Sequence, residues 1–150
     1  MHLHQMVCES PPAETEPFDE LGAADVPNMV ELAELTEPGP FLERTVEMGR
    51  YIGVRDAGRL VAMAGERMKP PGWIEVSGVC THSDARGQGY ASRMVTNLVA
   101  NCIAQGQRAF LHVVVGSPSE KTAVGVYESV GFRRRRGMYA HVLLRREEES

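Results

Sequence analysis

The sequence has little of what marks exported, metal-binding or membrane-spanning chains. Its three cysteines are odd in number and show no CxxC spacing, so neither a disulfide framework nor a zinc site is predicted. The histidines show no HxxxH spacing either, and we expect no metal. No apolar run approaches the ~20 residues that a bilayer requires. The first residues have neither the basic start nor the apolar stretch of a secretory signal, so a cytoplasmic protein without a membrane segment is expected.

Positive charge is also scarce. The formal net charge is -4 and the pI is about 5.7, which argues against nucleic acid as a partner because phosphate binding needs positive surface. One basic run, Arg133–Arg136, stands between Phe132 and an apolar stretch. It favours a solvated strand whose arginines alternate between two faces, with docking of an anionic ligand as the alternative.

What is present is the composition of one globular domain, with 43% hydrophobic and 24% charged residues. A chain of this length buries about 68 to 70% of its unfolded surface, so we expect a single domain over residues 1–150. The stretch at 9–20 is acidic and proline-rich. It predicts a loosely ordered arm over 1–20, with at most a short first strand, and residues 146–150 are expected to fray.

Hydrophobic spacing predicts an α/β layered fold in the order αα-βββ-α-β-α-β. The predicted helices lie at 25–36, 41–48, 90–106 and 118–130. The predicted strands lie at 50–55, 59–68, 73–82, 110–115 and 132–145. Asp25 is expected to cap the first helix, and Ser117, Pro118 and Glu120 predict a capping box at the start of the last. Gly78, isolated within a strand, predicts a β-bulge.

A glycine-containing loop, Ser83–Ala91, joins a predicted strand to a predicted helix. Gly87 and Gly89 allow the backbone to approach a ligand closely, and the helix start offers unpaired amides and the positive end of a dipole. That combination binds phosphate. The loop matches neither a Walker motif nor the GxGxxG fingerprint, whose third glycine is replaced by Ser92. A glycine turn that merely reverses the chain is the alternative.

Two motifs occur in a fixed order. Arg86-x-x-Gly89-x-Ala91 is followed by the apolar strand FLHVVV and by a helix that ends in the sequence YESVGF at 127–132. This arrangement resembles the GNAT superfamily of coenzyme A-dependent N-acyltransferases over residues 50–142. One position departs from the family pattern, since Glu120 stands where these proteins commonly have asparagine.

The resemblance implies a GNAT fold, with a central mixed, mostly antiparallel sheet flanked by helices. It also implies transfer of an acetyl group from acetyl-CoA, as co-substrate, to a primary amine. The pyrophosphate would lie on amides of the loop, and the pantetheine arm would follow the preceding strand. The residues that the resemblance assigns to acetyl-CoA are Val79, Cys80, Thr81, Arg86, Gly87, Gln88, Gly89, Tyr90, Ala91 and Ser92.

The resemblance also implies catalytic roles. Tyr127 matches the family's tyrosine acid, and a phenol of pKa about 10 suits a thiolate leaving group of pKa about 8.5. Glu75 is the predicted base, because apolar neighbours could raise its pKa, with Glu66 and His112 in reserve. An amide of Val79 or Cys80 would face the oxyanion. The Cys80 thiol itself is expected to be inert.

Partners and alternatives remain open from the sequence. Glutamates among residues 25–49 favour a cationic acceptor, or equally a solvated helix face. The apolar stretch at 138–144, together with the family's habit of pairing through C-terminal strands, implies either a homodimer or an edge strand within one chain. An acyl-CoA-binding sensor without turnover is the alternative function. Neither nucleic acid nor a membrane is an expected partner.

Overall fold

In the described part of the chain, residues 2–10, 12, 14–36 and 49–139, one seven-stranded sheet is flanked by three α-helices. This is a computed structural model, and for residues 136–139 the description covers the backbone alone. The strands are β1 (His2–Cys8), β2 (Asp19–Leu21), β3 (Tyr51–Asp56), β4 (Arg59–Glu66), β5 (Trp73–Thr81), β6 (Arg108–Val114) and β7 (Arg133–Tyr139). The helices are α1 (Val26–Thr36), α2 (Tyr90–Ala104) and α3 (Glu120–Val130).

The strand order is β2-β3-β4-β5-β6-β1-β7. Every neighbouring pair is antiparallel except β5 and β6, which are parallel. The predicted α/β class and the mixed, mostly antiparallel sheet are therefore confirmed. The three consecutive strands predicted between residues 50 and 82 are β3, β4 and β5, and they pair antiparallel. The predicted helix at 41–48, the strand residues 140–145 and the tail 146–150 lie outside the described residues.

Two clusters of buried side chains cover the two faces of the sheet. Helices α2 and α3 pack on the first, which includes Ala62 of β4, and helix α1 packs on the second, which includes the adjacent Met63. Successive strand residues point to opposite faces, so these clusters lie on opposite sides of the sheet. The face with α2 holds the larger core, because α2 buries five apolar side chains there: Met94, Val95, Leu98, Val99 and Cys102.

The N-terminal strand is the main departure from the prediction. β1 pairs antiparallel with β6 on one side and with β7 on the other, and Met6, Val7 and Cys8 are buried. The short first strand that the prediction allowed within the arm is therefore His2–Cys8, an interior strand of the sheet. The strand was hidden in the sequence because polar residues interrupt its apolar pattern, and one of them, Gln5, lies opposite a polar residue of β6.

The acidic stretch after β1 also contacts the fold. The Asn97 side chain in α2 donates a hydrogen bond of 2.7 Å to the Glu16 carbonyl, and Arg93 Nη1 lies 3.1 Å from both carboxylate oxygens of Glu16. Three residues further on, β2 pairs with β3. Side-chain contacts therefore hold part of the proline-rich stretch against α2, and strand pairing holds its end.

The helix starts correct both predicted caps. The Asp25 carboxylate accepts the Gly22 N–H at 2.9 Å, at the start of the 3-10 turn Ala23–Asp25 that precedes α1, rather than an amide in the first turn of α1. The predicted capping box of α3 is wrong, because Ser119 rather than Ser117 occupies the N-cap position and its side chain makes no capping hydrogen bond, while the Ser117 hydroxyl donates to the Val114 carbonyl. Helix α3 begins at Glu120, whose carboxylate accepts the Gly116 N–H at 2.6 Å.

The basic run lies on β7, at one edge of the sheet among the described strands. The side chains of Arg133, Arg134 and Arg135 are exposed, as predicted for a solvated strand. Arg133 Nη2 pairs with the Glu9 carboxylate at 2.8 Å. The positive charge of the run is thus partly balanced within the chain.

Candidate active site

A fork opens in the middle of the sheet where β5 and β6 part. Within the described residues, the two strands pair only where Trp73–Glu75 lies beside Arg108–Phe110. Further along β5 a bulge follows, since three steps from Ser77 to Cys80 match only two steps on β4. Gly78 lies in this bulge with φ +64, in the left-handed region that favours glycine. The bulge predicted at Gly78 is confirmed, and the β5 backbone beyond it turns away from β6.

A buried tyrosine on β3 packs against the bulge. Tyr51 is paired with Gly65 of β4, and its ring occupies the space where a side chain at Gly65 would be. A Cβ atom on Gly78 would lie 3.1 Å from the Tyr51 hydroxyl oxygen. Burial raises the pKa of Tyr51 to about 12, so the phenol is neutral at physiological pH. The sequence did not single out Tyr51, although Gly65, a second glycine inside a strand, signals close packing.

The loop after β5 presents backbone amides at its far end. Gly87 and Gly89 have φ +83 and φ +75, and α2 begins directly after them. The amide of Arg93 makes the first intrahelical bond, to the Gly89 carbonyl at 3.1 Å. The N–H groups of residues 90–92 precede that bond and have no acceptor within the helix. Together with the positive end of the α2 dipole they can hold an anion such as a pyrophosphate.

Arg93 stabilises this loop from the helix side. Its guanidinium donates to the Gln88 carbonyl at 3.0 Å and the Gly89 carbonyl at 3.3 Å, and it lies 5.0 Å from the centre of the Tyr90 ring. The sequence prediction missed this residue. The sequence did contain a signal for it. A positively charged side chain in the first turn of a helix lies near the positive end of the dipole, which is unfavourable unless acceptor groups hold it. Here those partners are two carbonyls and the Glu16 carboxylate.

Tyr127 lies on α3, half-buried against the larger core. Its ring packs edge-on against Phe132 with centroids 6.0 Å apart. Burial raises the pKa of Tyr127 to about 12, with a smaller contribution from Cys80 across the fork. The phenol is therefore protonated at neutral pH, and its hydroxyl has no hydrogen-bond partner among the residues that the structure describes. It can donate a proton or hydrogen bond to a bound group.

Glu75 is the most enclosed charged side chain near the fork, with 2% of its surface exposed. Arg67 donates to both of its carboxylate oxygens at 2.9 and 3.0 Å, and His112 Nδ1 lies 3.2 Å from Oε2. Burial by itself raises the pKa of Glu75, but the bonds and charges of His112 and Arg67 outweigh it and lower the pKa below its usual value. The predicted raised pKa is therefore wrong, because Arg67 returns beside Glu75 across the β4–β5 connection.

The lowered pKa makes a prediction for acid stability. The Glu75 contribution is fully present above the unfolded pKa of about 4.3 and is lost as pH falls through the folded value. At pH 7 we expect Glu75→Gln to lower the free energy of unfolding by about 2 kcal/mol, through loss of charge-assisted hydrogen bonds. Urea denaturation of both proteins from pH 7 to pH 3 should show this difference shrinking below about pH 4. A constant difference would contradict an ionised, paired Glu75.

The two reserve bases lie in different places. His112 joins Glu75 at the fork, as described above. Tyr51 packs on the face of the sheet to which Gly65 belongs, and Glu66, as the next strand residue, points to the opposite face. There its Oε1 accepts the Arg50 N–H at 3.3 Å and lies 3.4 Å from the Lys69 ammonium. The structure thus brings His112 to the fork and leaves Glu66 away from it.

Cys80 lies on the far side of the bulge and is buried, as are Cys8 and Cys102, and all three are free thiols. Burial raises the pKa of Cys80 to about 11, so almost none of it is thiolate at neutral pH. This agrees with the expected inert thiol.

On α1, Glu31 and Glu34 are exposed to solvent.

Comparison with known proteins places this geometry in a family. The FR47-like family model matches residues 51–140, which is 90 of the 150 residues and includes the fork, the loop and Tyr127. The chain belongs to the FR47-like family. This confirms the resemblance to GNAT proteins, and an acetyltransferase fold is established for it.

Solved structures agree with the family. A structure assigned to the GNAT family from Novosphingobium aromaticivorans is 44% identical and superimposes with a TM-score of 0.84, covering 91% of this FR47-like chain and 61% of that one. A GNAT acetyltransferase from Colwellia psychrerythraea is 17% identical with a TM-score of 0.73, over 89% of this chain and 52% of that one. The chain therefore spans about half to three fifths of these two proteins.

The match to a third structure covers a larger share of that protein's chain. The ribosomal-protein-S18-alanine N-acetyltransferase of Escherichia coli is 17% identical with a TM-score of 0.66, over 80% of this chain and 79% of that one. At this identity the likeness concerns the fold. No curated protein matches the sequence. Among the described residues, no helix is long and apolar enough to cross a bilayer.

Proposed function

We propose that this FR47-like chain transfers an acetyl group from acetyl-CoA to a primary amine. The observation that carries the proposal is the fork between β5 and β6, which has the Gly78 bulge at its base and the loop amides at its end. Strand β5 runs from the bulge directly to that loop. An extended pantetheine arm paired with residues 79–81 would therefore end with its pyrophosphate at the start of α2.

The residues proposed to hold acetyl-CoA supply mainly backbone groups. On β5 these are the amides and carbonyls that β6 leaves unpaired after the fork. On the loop they are the amides before Arg93, together with the exposed guanidinium of Arg86, which is held by the Thr81 carbonyl at 3.3 Å. The proposed set is Val79, Cys80, Thr81, Arg86, Gly87, Gln88, Gly89, Tyr90, Ala91 and Ser92.

The proposed reaction divides among three places in the fork. Acetyl-CoA supplies a thioester whose carbonyl carbon is open to attack by a neutral amine. The N–H group of Val79 or Cys80 beside the bulge donates a hydrogen bond to the carbonyl oxygen as negative charge develops on it. Tyr127 gives its phenolic proton to the departing sulfur, and the amine proton leaves toward the pair formed by Glu75 and His112.

A transfer assay tests this proposal. The protein is incubated with acetyl-CoA and, in turn, spermidine, tyramine and a short peptide with a free α-amino group. We expect free CoA to appear with at least one amine, in amounts equal to the acetylated product measured by mass spectrometry. Binding of acetyl-CoA without transfer to any of the three classes would overturn the proposal and support an acyl-CoA sensor instead.

A further inference from the structure

Four polar side chains form a continuous row across four strands, on the face of the sheet opposite α2. Arg67 follows β4 and holds both oxygens of Glu75, at 2.9 and 3.0 Å. Glu75 Oε2 is 3.2 Å from His112 Nδ1, and His112 Nε2 is 3.5 Å from Gln5 Nε2. Gln5 and His112 lie directly opposite each other on β1 and β6. The Phe110 ring also faces the imidazole, with the two ring centroids 5.7 Å apart.

The row crosses the sheet where β5 and β6 part. Glu75 is opposite Phe110 in the last pair that joins the two strands. His112 is two positions beyond Phe110 and on the same face, so it lies at the opening of the fork. Its side chain is 21% exposed, whereas that of Glu75 is 2% exposed. Of the two hydrogen-bonded groups, the imidazole is the one that a substrate in the fork can reach.

We propose that His112, and not Glu75, takes the proton from the acceptor amine. This inference rests on the acetyl transfer proposed above. As the amine nitrogen bonds to the acetyl carbon and the carbon–sulfur bond breaks, one N–H proton passes to His112 Nε2 and the sulfur receives the Tyr127 proton. Glu75 acts as a positioning residue, because its bond to Nδ1–H leaves the lone pair of the neutral ring on Nε2 and its charge stabilises the imidazolium.

Gln5 has the chemistry to accommodate both forms of this imidazole. Its amide nitrogen faces Nε2, as suits a neutral ring, while its Oε1 is buried with no partner among the described residues. A protonated ring presents N–H at Nε2 and needs an acceptor there. Rotation of the Gln5 amide by half a turn brings Oε1 to that position, where it accepts the new N–H without movement of the backbone. Arg67 meanwhile keeps Glu75 ionised.

Replacing His112 with alanine tests the inference. We expect His112→Ala to lower kcat by about 10²- to 10⁴-fold, the range for loss of a general base, with the acetyl-CoA dissociation constant unchanged. Added imidazole should restore part of the lost rate, which a merely structural histidine would not permit. The matched control is His2→Ala on β1, which should retain the wild-type rate and show no response to imidazole.

The outcomes separate the two proposals. An active wild type with an equally active His112→Ala variant overturns the role of His112 alone. The same holds if the variant binds acetyl-CoA, is slow and gains nothing from imidazole. A wild type that transfers to no amine overturns the acetyl transfer itself. Should His112→Ala fail to fold, Gln5→Leu serves instead, with kcat expected to fall roughly tenfold at unchanged KM for acetyl-CoA. An unchanged kcat in Gln5→Leu would contradict the proposed proton transfer to His112.

Discussion

Replacing Tyr127 with phenylalanine is expected to lower kcat by about 10²- to 10⁴-fold while acetyl-CoA binds as before. The substitution removes only the hydroxyl, and the ring still packs against Phe132. Because the pKa of Tyr127 is about 12, the wild-type acid is fully protonated at neutral pH. Its loss should therefore slow protonation of the departing thiolate without altering the cofactor site. Steady-state CoA release and calorimetric titration with acetyl-CoA measure the two effects separately.

The same helix offers a matched control. Ser129→Ala also removes one hydroxyl from α3, and in the wild type that hydroxyl bonds only the Val126 carbonyl, on the exposed side. It should retain the wild-type kcat. If Tyr127→Phe also retained it, the leaving sulfur would have to be protonated by another group or by water. A variant that instead lost affinity for acetyl-CoA would assign Tyr127 to binding rather than to proton transfer.

Placing a charge in the middle of β1 is expected to prevent folding. Met6 has no exposed surface and lies between β6 and β7, in the larger core. An unpaired carboxylate there costs several kcal/mol, against a total stability of about 5–15 kcal/mol for a typical domain. Met6→Asp should therefore give little soluble protein and no cooperative melting transition by circular dichroism.

Two further variants separate burial from local composition. Met6→Leu keeps the volume apolar and should cost less than about 1.5 kcal/mol. Thr15→Asp places the same charge at an exposed position in the acidic stretch, where about 0.5 kcal/mol or less is expected. If Met6→Asp melted like the wild type, residues 2–8 could not form an interior strand of the sheet.

The elements that the sequence predicted correctly are those with local signals. Strands β3 to β5, helix α2, strand β6 and helix α3 each have regular apolar spacing and a glycine or proline near at least one end. β1 lacks that regular spacing, and both of its partner strands are more than 100 residues away along the chain. Its place depends on side chains of β6 that only the folded sheet brings opposite, and single-sequence patterns carry no record of that pairing.

The candidate site divides in the same way. The Gly78 bulge and the glycine loop were predictable because each is a backbone property written in one short segment. The state of Glu75 was not, since it depends on Arg67, eight residues away across a connection, and on His112, 37 residues away on another strand. The predicted position was correct and the predicted pKa direction wrong, because the charge environment arises only when three strands meet.

Thermal denaturation with ligands tests the central claim, that the fork and loop form an acyl-CoA site. Acetyl-CoA, free CoA, ATP and NAD are compared at equal concentration. A ligand at 100 times its dissociation constant adds about 2.7 kcal/mol, which raises Tm by roughly 5 to 10 °C for a domain of this size. We predict such a shift with acetyl-CoA and CoA and none with ATP or NAD. Equal melting temperatures with and without the CoA compounds would contradict the account.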